Sequence, residues 1–396
     1  MKILFVSHMY PTPENTVYGI FVHQQVQSLA ERGHEVRVIS PTPYIPNVPY
    51  LPDRWARFSN TTDRAHIDGI DVMYPKYLSL PSHRTLPLVS KSVRRTVADA
   101  ISELQFCGFS PDVINAHVPL PDGYACIRSS RRLNVPMVTT VHGANIHKSS
   151  KQLLCRHQIR SVLESSDEIV FNSRVLREKA KKIYAGLEDT NIVPNGVPLE
   201  RIRSVDPVEL PTLFSENRLV LTSLGSLDRK KGQLDVLKAI ERLPRHLQPN
   251  YLLIGDGSHR EKLEQEAKKV DSPIHFTGTV PHETVLSYLM STDIMALPST
   301  QEAFGVAYIE AMACGSPVIG CQGEGPSDFV RDGETGYLVP PNDPNAIAEK
   351  IRYLSENRLK LKRMGDAARD YVRENLTWEE NAQQIERIYQ HSIENS

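Results

Sequence analysis

The chain has 396 residues, more than one compact core of the usual size of about 100 to 200 residues holds, so two domains are expected. Hydrophobic residues make up 40% and charged residues 23%, a globular balance that excludes a disordered chain. The net charge of -1 divides as 23 Lys and Arg against 18 Asp and Glu in residues 1–200 and 23 against 29 in the remainder, an asymmetry that suggests unequal partners for the two halves but is too small for a nucleic-acid binder.

The N-terminus, MKILFVSHMYP, carries a short apolar run that stops at His8 with no small-residue cleavage site, and reads as a strand, not a signal peptide. The periodicity then predicts a strand over Ile3 to Ser7, a helix over Phe21 to Arg32 ended by Gly33, and a strand over Glu35 to Ser40, a Rossmann-type βαβ unit without the glycine fingerprint. Residues Pro41 to Leu88, rich in Pro and Tyr, are expected to form an irregular insertion on the substrate side. Strands follow at Val113 to Asn115, Met137 to Val141, Glu168 to Asn172 and Asn191 to Pro194, with helical runs between them. Residues 201–217, RIRSVDPVELPTLFSEN, lack periodicity and are read as a linker between a first domain at 1–200 and a second at 218–375.

The second domain repeats the alternation. Strands are expected at Leu219 to Leu224, Tyr251 to Gly255, His275 to Thr277, Ile294 to Pro298 and Pro317 to Gly320, separated by helices at Gln233 to Arg242, Arg260 to Val270, Glu283 to Ser291 and Gly305 to Cys314. Three helical segments close the chain, the last over 376–396 and expected to return to the first domain. Two doubly wound α/β domains of this kind bind ligands at the carboxyl ends of their strands, so the cleft between them is the expected site. Five cysteines, at 107, 126, 155, 314 and 321, form no CxxC pair and no zinc spacing, and read as reduced cytoplasmic thiols. No segment approaches the roughly 18 apolar residues of a membrane span, which leaves only peripheral membrane contact.

Within STQEAFGVAYIEAMACGSPVIG, Glu310 sits in an apolar helical run, and burying its carboxylate demands compensation such as ligand hydroxyls. Phe304 and Gly305 come just before that helix, whose free N–H groups and dipole favour an anion such as phosphate. Polyol and phosphate together suggest a sugar nucleotide. From Phe304 to Glu310 a helix rises about 9 Å, enough to hold ribose and diphosphate at separate levels. The plain alternative is a surface Glu302 and a satisfied core Glu310.

These residues resemble the glycosyltransferase family 4 proteins, retaining and metal-independent enzymes of GT-B fold that use nucleotide sugars. Glu302 and Glu310, with seven residues between them and Phe304 and Gly305 in place, match the family's glutamate pair. The resemblance implies that Glu310 accepts hydrogen bonds from ribose hydroxyls and that Glu302 touches the donor sugar. LGSLDRKKG resembles the family segment that holds the diphosphate, with Lys231 at the family lysine. Where relatives often carry arginine the chain has Ser226, and Arg229 is the nearest substitute by sequence. VHGAN resembles the HG motif, which implies His142 beside the donor sugar, with Asn145 where aspartate is frequent. In SHMYPTPENTVYGIF, Gly19 alone remains of the family's glycine pair; phosphate approach and a plain loop glycine both fit it. GEGPSD resembles the family's glycine loop, with Glu324 and Asp328 as departures.

No Asp-X-Asp triplet occurs in the chain, which removes the usual carboxylate clamp for a metal-bound diphosphate, and no cofactor beyond the donor is expected. Basic residues at Lys91 to Arg95 and Lys148 to Lys182 would form a positive face toward anionic lipid or a lipid-linked acceptor, though a solvated face reads equally well. The resemblance thus implies transfer of a sugar from a nucleoside diphosphate to an acceptor hydroxyl on a glycan or lipid-linked glycan. A nucleotide-sugar epimerase of similar architecture and a non-catalytic nucleotide-sugar-binding partner subunit are the alternatives.

Overall fold

The computed structural model of the protein describes residues 1–45, 58, 61–78 and 85–396. The chain divides into two compact units, one of Met1–Asn195 with Trp378–Ser396 and one of Gly196–Thr377.

The first unit is built on strands β1 (Lys2–Val6), β2 (Glu35–Ile39), β3 (Thr42–Pro43), β4 (Arg64–Ile67), β5 (Ile70–Met73), β6 (Lys76–Tyr77), β7 (Val113–Ala116), β8 (Met137–Val141), β9 (Glu168–Phe171) and β10 (Asn191–Ile192). Among the described residues they form one eight-stranded sheet, in the order β10-β9-β8-β7-β1-β2-β5-β4, and a small β3-β6 pair. Ile3, Leu4, Phe5 and Val6 are all buried, as expected for a central parallel strand covered on both faces. The order reverses between β1 and β7, so His8, His117 and His142, each just past a strand, lie at the carboxyl ends around a switch point.

The stretch 41–88 is more regular than its composition suggests. Asp68 and Gly69 adopt φ of 46° and 82°, closing a hairpin that pairs β4 antiparallel to β5 and extends the sheet beyond β2. Asp-Gly between two alternating runs is a hairpin signal, and Ile70 and Val72 bury one face while Asp71 stays outside. Residues 46–57, 59, 60 and 79–84 of this stretch lie outside the described residues.

The helix Ile20–Glu31 carries the last helix, Trp378–Glu394. Val22, Val26 and Leu29 share a core with Ala382, Ile385 and Tyr389, and Ser28 Oγ donates to the Trp378 carbonyl at 3.0 Å.

The second unit holds a parallel sheet of β11 (Val220–Leu224), β12 (Asn250–Ile254), β13 (Ile274–Gly278), β14 (Ile294–Ala296), β15 (Val318–Cys321) and β16 (Gly336–Val339), ordered β13-β12-β11-β14-β15-β16. The direction of winding switches between β11 and β14. Segment 201–217, expected as a linker, begins within the helix Leu199–Arg203, whose Ile202 is buried in the core of this unit beside Val197. The Val197 N–H also donates to the Leu376 carbonyl at 2.9 Å, so the division between units falls at Asn195. No helix among the described residues is long and apolar enough to cross a membrane.

Candidate active site

At the switch point of the second unit two loops are fastened together. After β11 the chain turns through Arg229–Lys231, where Asp228 accepts from the Lys230 N–H at 3.0 Å, and then takes a left-handed step at Gly232, φ 80°. A Cβ at Gly232 would lie 2.6 Å from the Pro298 carbonyl oxygen, so only glycine lets this turn meet the end of β14. The Thr300 N–H donates to the Lys230 carbonyl at 2.8 Å. This closure puts Lys231 Nζ 2.7 Å from Glu302 Oε2, with both side chains largely buried.

Glu302 is also held by its backbone. Its N–H donates to Glu324 Oε2 at 3.0 Å, and its carbonyl accepts from the Gly325 N–H at 3.0 Å. Gly325 lies so close under Phe304 that a Cβ there would sit 2.6 Å from the Phe304 Cα. Phe304 itself is buried, with its ring 5.0 Å from that of Phe329, and packs as a core residue. Gly305, φ 100°, turns the chain into the helix Val306–Ala313; a Cβ there would strike the Tyr308 ring at 2.5 Å. No side chain caps this helix start; the Tyr308 N–H donates to the Gly305 carbonyl at 3.1 Å, and a helix start of this kind suits an anion.

Glu310 is buried on that helix, as expected, but its compensation comes from the protein. His282 Nε2, at the start of the helix His282–Met290, lies 2.7 Å from Glu310 Oε1. Burial, and then the nearby Glu310 charge, push the Cys314 thiol up to about 12. Arg229 is parted from Lys231: it lines a groove of about 620 Å³ with Lys238, Arg242, His259 and Lys262, which neither Lys231 nor Glu302 lines. Ser226 is exposed, and its carbonyl accepts from Gln233 Nε2 at 3.0 Å.

In the first unit His142 follows β8 and is partly buried. Its Nε2 lies 3.1 Å from His117 Nδ1, and Asn172 Nδ2 lies 3.4 Å from its Nδ1. The two imidazoles stack at 4.8 Å. Burial lowers His142 to about 4, and burial with the adjacent His142 holds His117 well below the ordinary histidine range, so both rings are neutral at pH 7. Asn145 Oδ1 accepts from the Leu120 N–H at 2.6 Å. His8 meets the fully buried Asp122 through its N–H and through Nδ1 at 2.9 Å; burial pulls the imidazole down, but the Asp122 charge and hydrogen bond outweigh it and raise it. Gly19, φ 72°, packs its backbone against Met9, where a Cβ would lie 2.4 Å from the carbonyl. The close approach explains the glycine without any ligand.

Sequence reading singled out neither His282 nor His117. His282 is 28 residues from its partner and is the first residue of its own helix, where periodicity gives no signal. His117, like His142, stands directly after an apolar strand run, a parallel that was open to reading.

The chain matches the model of the family "Glycosyltransferase Family 4" over residues 19–201 and that of "Glycosyl transferases group 1" over 210–371. It is 27% identical, over 98% of each chain, to TuaC of Bacillus subtilis, a glycosyltransferase whose name assigns it provisionally to teichuronic acid biosynthesis. Among solved structures, sucrose-phosphate synthase of Thermosynechococcus elongatus superposes with a TM-score of 0.78 at 22% identity over 100% of both chains. HepE of Anabaena, solved in complex with UDP-glucose, superposes with 0.71 at 18% identity over 99% of this chain and 100% of its own. With sequence models covering both units and the fold shared along the whole length, the chain belongs to glycosyltransferase family 4 and has the GT-B fold.

Proposed function

We propose that the protein is a retaining glycosyltransferase that moves a sugar from a nucleoside diphosphate to an acceptor hydroxyl on a glycan or lipid-linked glycan. The observation that carries this reading is the placement of Lys231 and Glu302 beside the uncapped start of the helix that bears the buried Glu310. A diphosphate at the helix start draws the Lys231 ammonium from Glu302, and the charge that develops on the leaving group is stabilised by a cation and aligned N–H groups in a largely buried setting. Glu302, relieved of its partner, turns its carboxylate to the donor sugar, and Glu310 accepts from ribose hydroxyls. The neutral His142 offers a hydrogen bond to a sugar hydroxyl. The acceptor's proton leaves on the departing phosphate oxygen. Lysine and helix dipole take the part that a metal plays where an Asp-X-Asp clamp exists, so turnover is metal-independent. The UDP-glucose bound by HepE, which shares the fold, supports a nucleotide-sugar donor.

The test is thermal stabilisation by UDP, GDP, ADP and their sugar conjugates, first with EDTA and then with magnesium. A ligand at a hundred times its dissociation constant adds about 2.7 kcal/mol. One selective, EDTA-resistant shift, followed by sugar transfer with retention of anomeric configuration, is the expected result. A selective shift with no transfer to any acceptor and no donor hydrolysis would favour a non-catalytic binding subunit, and an altered nucleotide sugar would favour the epimerase.

Contact with an anionic membrane on the cytoplasmic side is part of the same reading. Leu88, Leu153 and Leu154 are 60%, 78% and 68% exposed, and Gln158 Nε2 ties their two helices together through the Pro87 carbonyl at 3.0 Å. Exposed Lys91, Lys148 and Lys151 stand on the same segments. Apolar side chains beside lysines suit a headgroup layer, where each lysine contributes about 1 kcal/mol. Co-sedimentation with phosphatidylserine vesicles but not with phosphatidylcholine vesicles is expected, and binding that survives Leu153→Ser with Leu154→Ser would remove this surface from consideration.

A further inference from the structure

A directional chain of hydrogen bonds runs through the first unit to His142. It starts at Asn381 on the last helix, whose Nδ2 donates to the Pro194 carbonyl at 2.6 Å. A backbone carbonyl only accepts, so this bond fixes which end of the Asn381 amide points where. Oδ1 is left to accept from Gln25 Nε2 at 2.7 Å. Gln25 therefore presents its oxygen, Oε1, to His117 Nε2 at 2.8 Å. That oxygen cannot donate, so the His117 proton lies on Nε2 and its Nδ1 is a lone pair. His142 Nε2, 3.1 Å from that lone pair, must carry the proton, which leaves His142 Nδ1 bare.

We propose that Asn381, Gln25 and His117 are positioning residues that hold His142 as its Nε2–H tautomer, so that the group it offers a ligand is the Nδ1 lone pair, an acceptor for a sugar hydroxyl. The proposal rests on the assignment of His142 to the donor sugar made above. The polarity comes from the Pro194 end because the other end is indifferent. Asn172 donates to His142 Nδ1 across 3.4 Å, yet its own Oδ1 is buried without a partner among the described residues, so this amide serves either tautomer equally. The long Asn172 contact is also the one a ligand hydroxyl displaces most readily. Burial keeps both imidazoles neutral, and only a neutral ring has a tautomer to select. Gln25 is buried on the helix Ile20–Glu31 and Asn381 is buried on Trp378–Glu394, so both amides are held by helix packing and not by solvent.

The experiment is a two-bond proton–nitrogen correlation spectrum of the full chain labelled with 15N-histidine, recorded at neutral pH, with His142 identified by its loss in His142→Gln. Nε2–H signals are expected for both His117 and His142 in the wild-type protein; an Nδ1–H signal at either overturns the proposal without any variant. In Asn381→Leu the Gln25 amide is free to turn, and the Nδ1–H form of His142 is expected to rise from undetected to comparable abundance. Asn381→Asp keeps an acceptor for Gln25 and is expected to retain Nε2–H. An unchanged His142 tautomer in folded Asn381→Leu overturns the relay whatever its activity. Transfer kinetics separate the two readings: kcat is expected to fall several-fold in Asn381→Leu with KM for the nucleotide sugar little changed. A shifted tautomer with unaltered kcat keeps the relay and removes His142 from the sugar.

Discussion

Lys231 Nζ lies 2.7 Å from Glu302 Oε2, an ion pair closed between the turn after β11 and the loop after β14. Two residues with separate proposed assignments, one for the diphosphate and one for the sugar, are thus partners to each other. The pair keeps a partly buried cation and anion neutral until a ligand competes for the cation. Removing either partner strands the other's charge, which is costlier than losing the pair together.

Lys231→Met is expected to lower kcat by about 10²- to 10³-fold, the usual loss when one charge-stabilising donor is removed. Arg229→Ala, at a position lining a groove that Lys231 does not reach, should stay within about twofold of wild type. Steady-state assay of nucleoside diphosphate release checks both, and a larger loss at Arg229 than at Lys231 would reverse the assignment.

Glu310→Ala is expected to weaken nucleotide binding about 10- to 100-fold, from loss of hydrogen bonds to a charged acceptor worth about 1.5–3 kcal/mol. His282→Ala leaves the buried Glu310 carboxylate without its 2.7 Å partner and should cost about 1–3 kcal/mol of stability. Calorimetric titration reads the first and urea unfolding the second. Nucleotide affinity equal to wild type in Glu310→Ala would sink the ribose assignment.

Gly305→Ala and Gly325→Ala test the packing beneath the loop. At Gly305 a side chain meets both a φ of 100° and the Tyr308 ring at 2.5 Å; at Gly325 it meets the Phe304 backbone at 2.6 Å. A strained backbone position costs about 1–3 kcal/mol and the overlaps add to it. Urea midpoints should fall in both variants, more in Gly325→Ala because backbone yields less than a ring. A midpoint within error of wild type at Gly325 is the contrary result.

Acid should destabilise the first unit through His142. Its folded value of about 4 lies below the ordinary 6.5, so between these values the unfolded chain binds the extra proton and stability falls as pH falls. At 1.36 kcal/mol per unit the loss is roughly 3 kcal/mol. His8 acts in the opposite sense: its raised value adds stability that is fully present below 6.5 and lost as pH rises through the folded value. Urea midpoints followed from pH 7 to pH 4 should fall less steeply in His142→Gln than in wild type, and identical slopes would contradict the burial argument.

Sequence alone determined the alternation of strands and helices, because parallel strands buried on both faces are written as short apolar runs and their helices as amphipathic ones. Expected strands such as Met137 to Val141 and helices such as Arg260 to Val270 match the structure to within a few residues, as does the glycine-opened helix bearing Glu310. The β4–β5 hairpin was legible too, in Asp68-Gly69, but proline and tyrosine around it masked the signal. What only the tertiary structure decided is pairing. Lys231 and Glu302 are 71 residues apart and His282 and Glu310 are 28 apart. Asn381 and Gln25, 356 apart, meet only because the last helix returns to the first unit. Such contacts depend on strand order and on two glycines that let loops touch, and neither leaves a periodic trace in the chain. Arg229 shows the same limit: it is two residues from Lys231 in sequence, but it lines a groove that Lys231 does not. Sequence thus supplies the chemical groups, and the order of the strands at each switch point selects which of them meet.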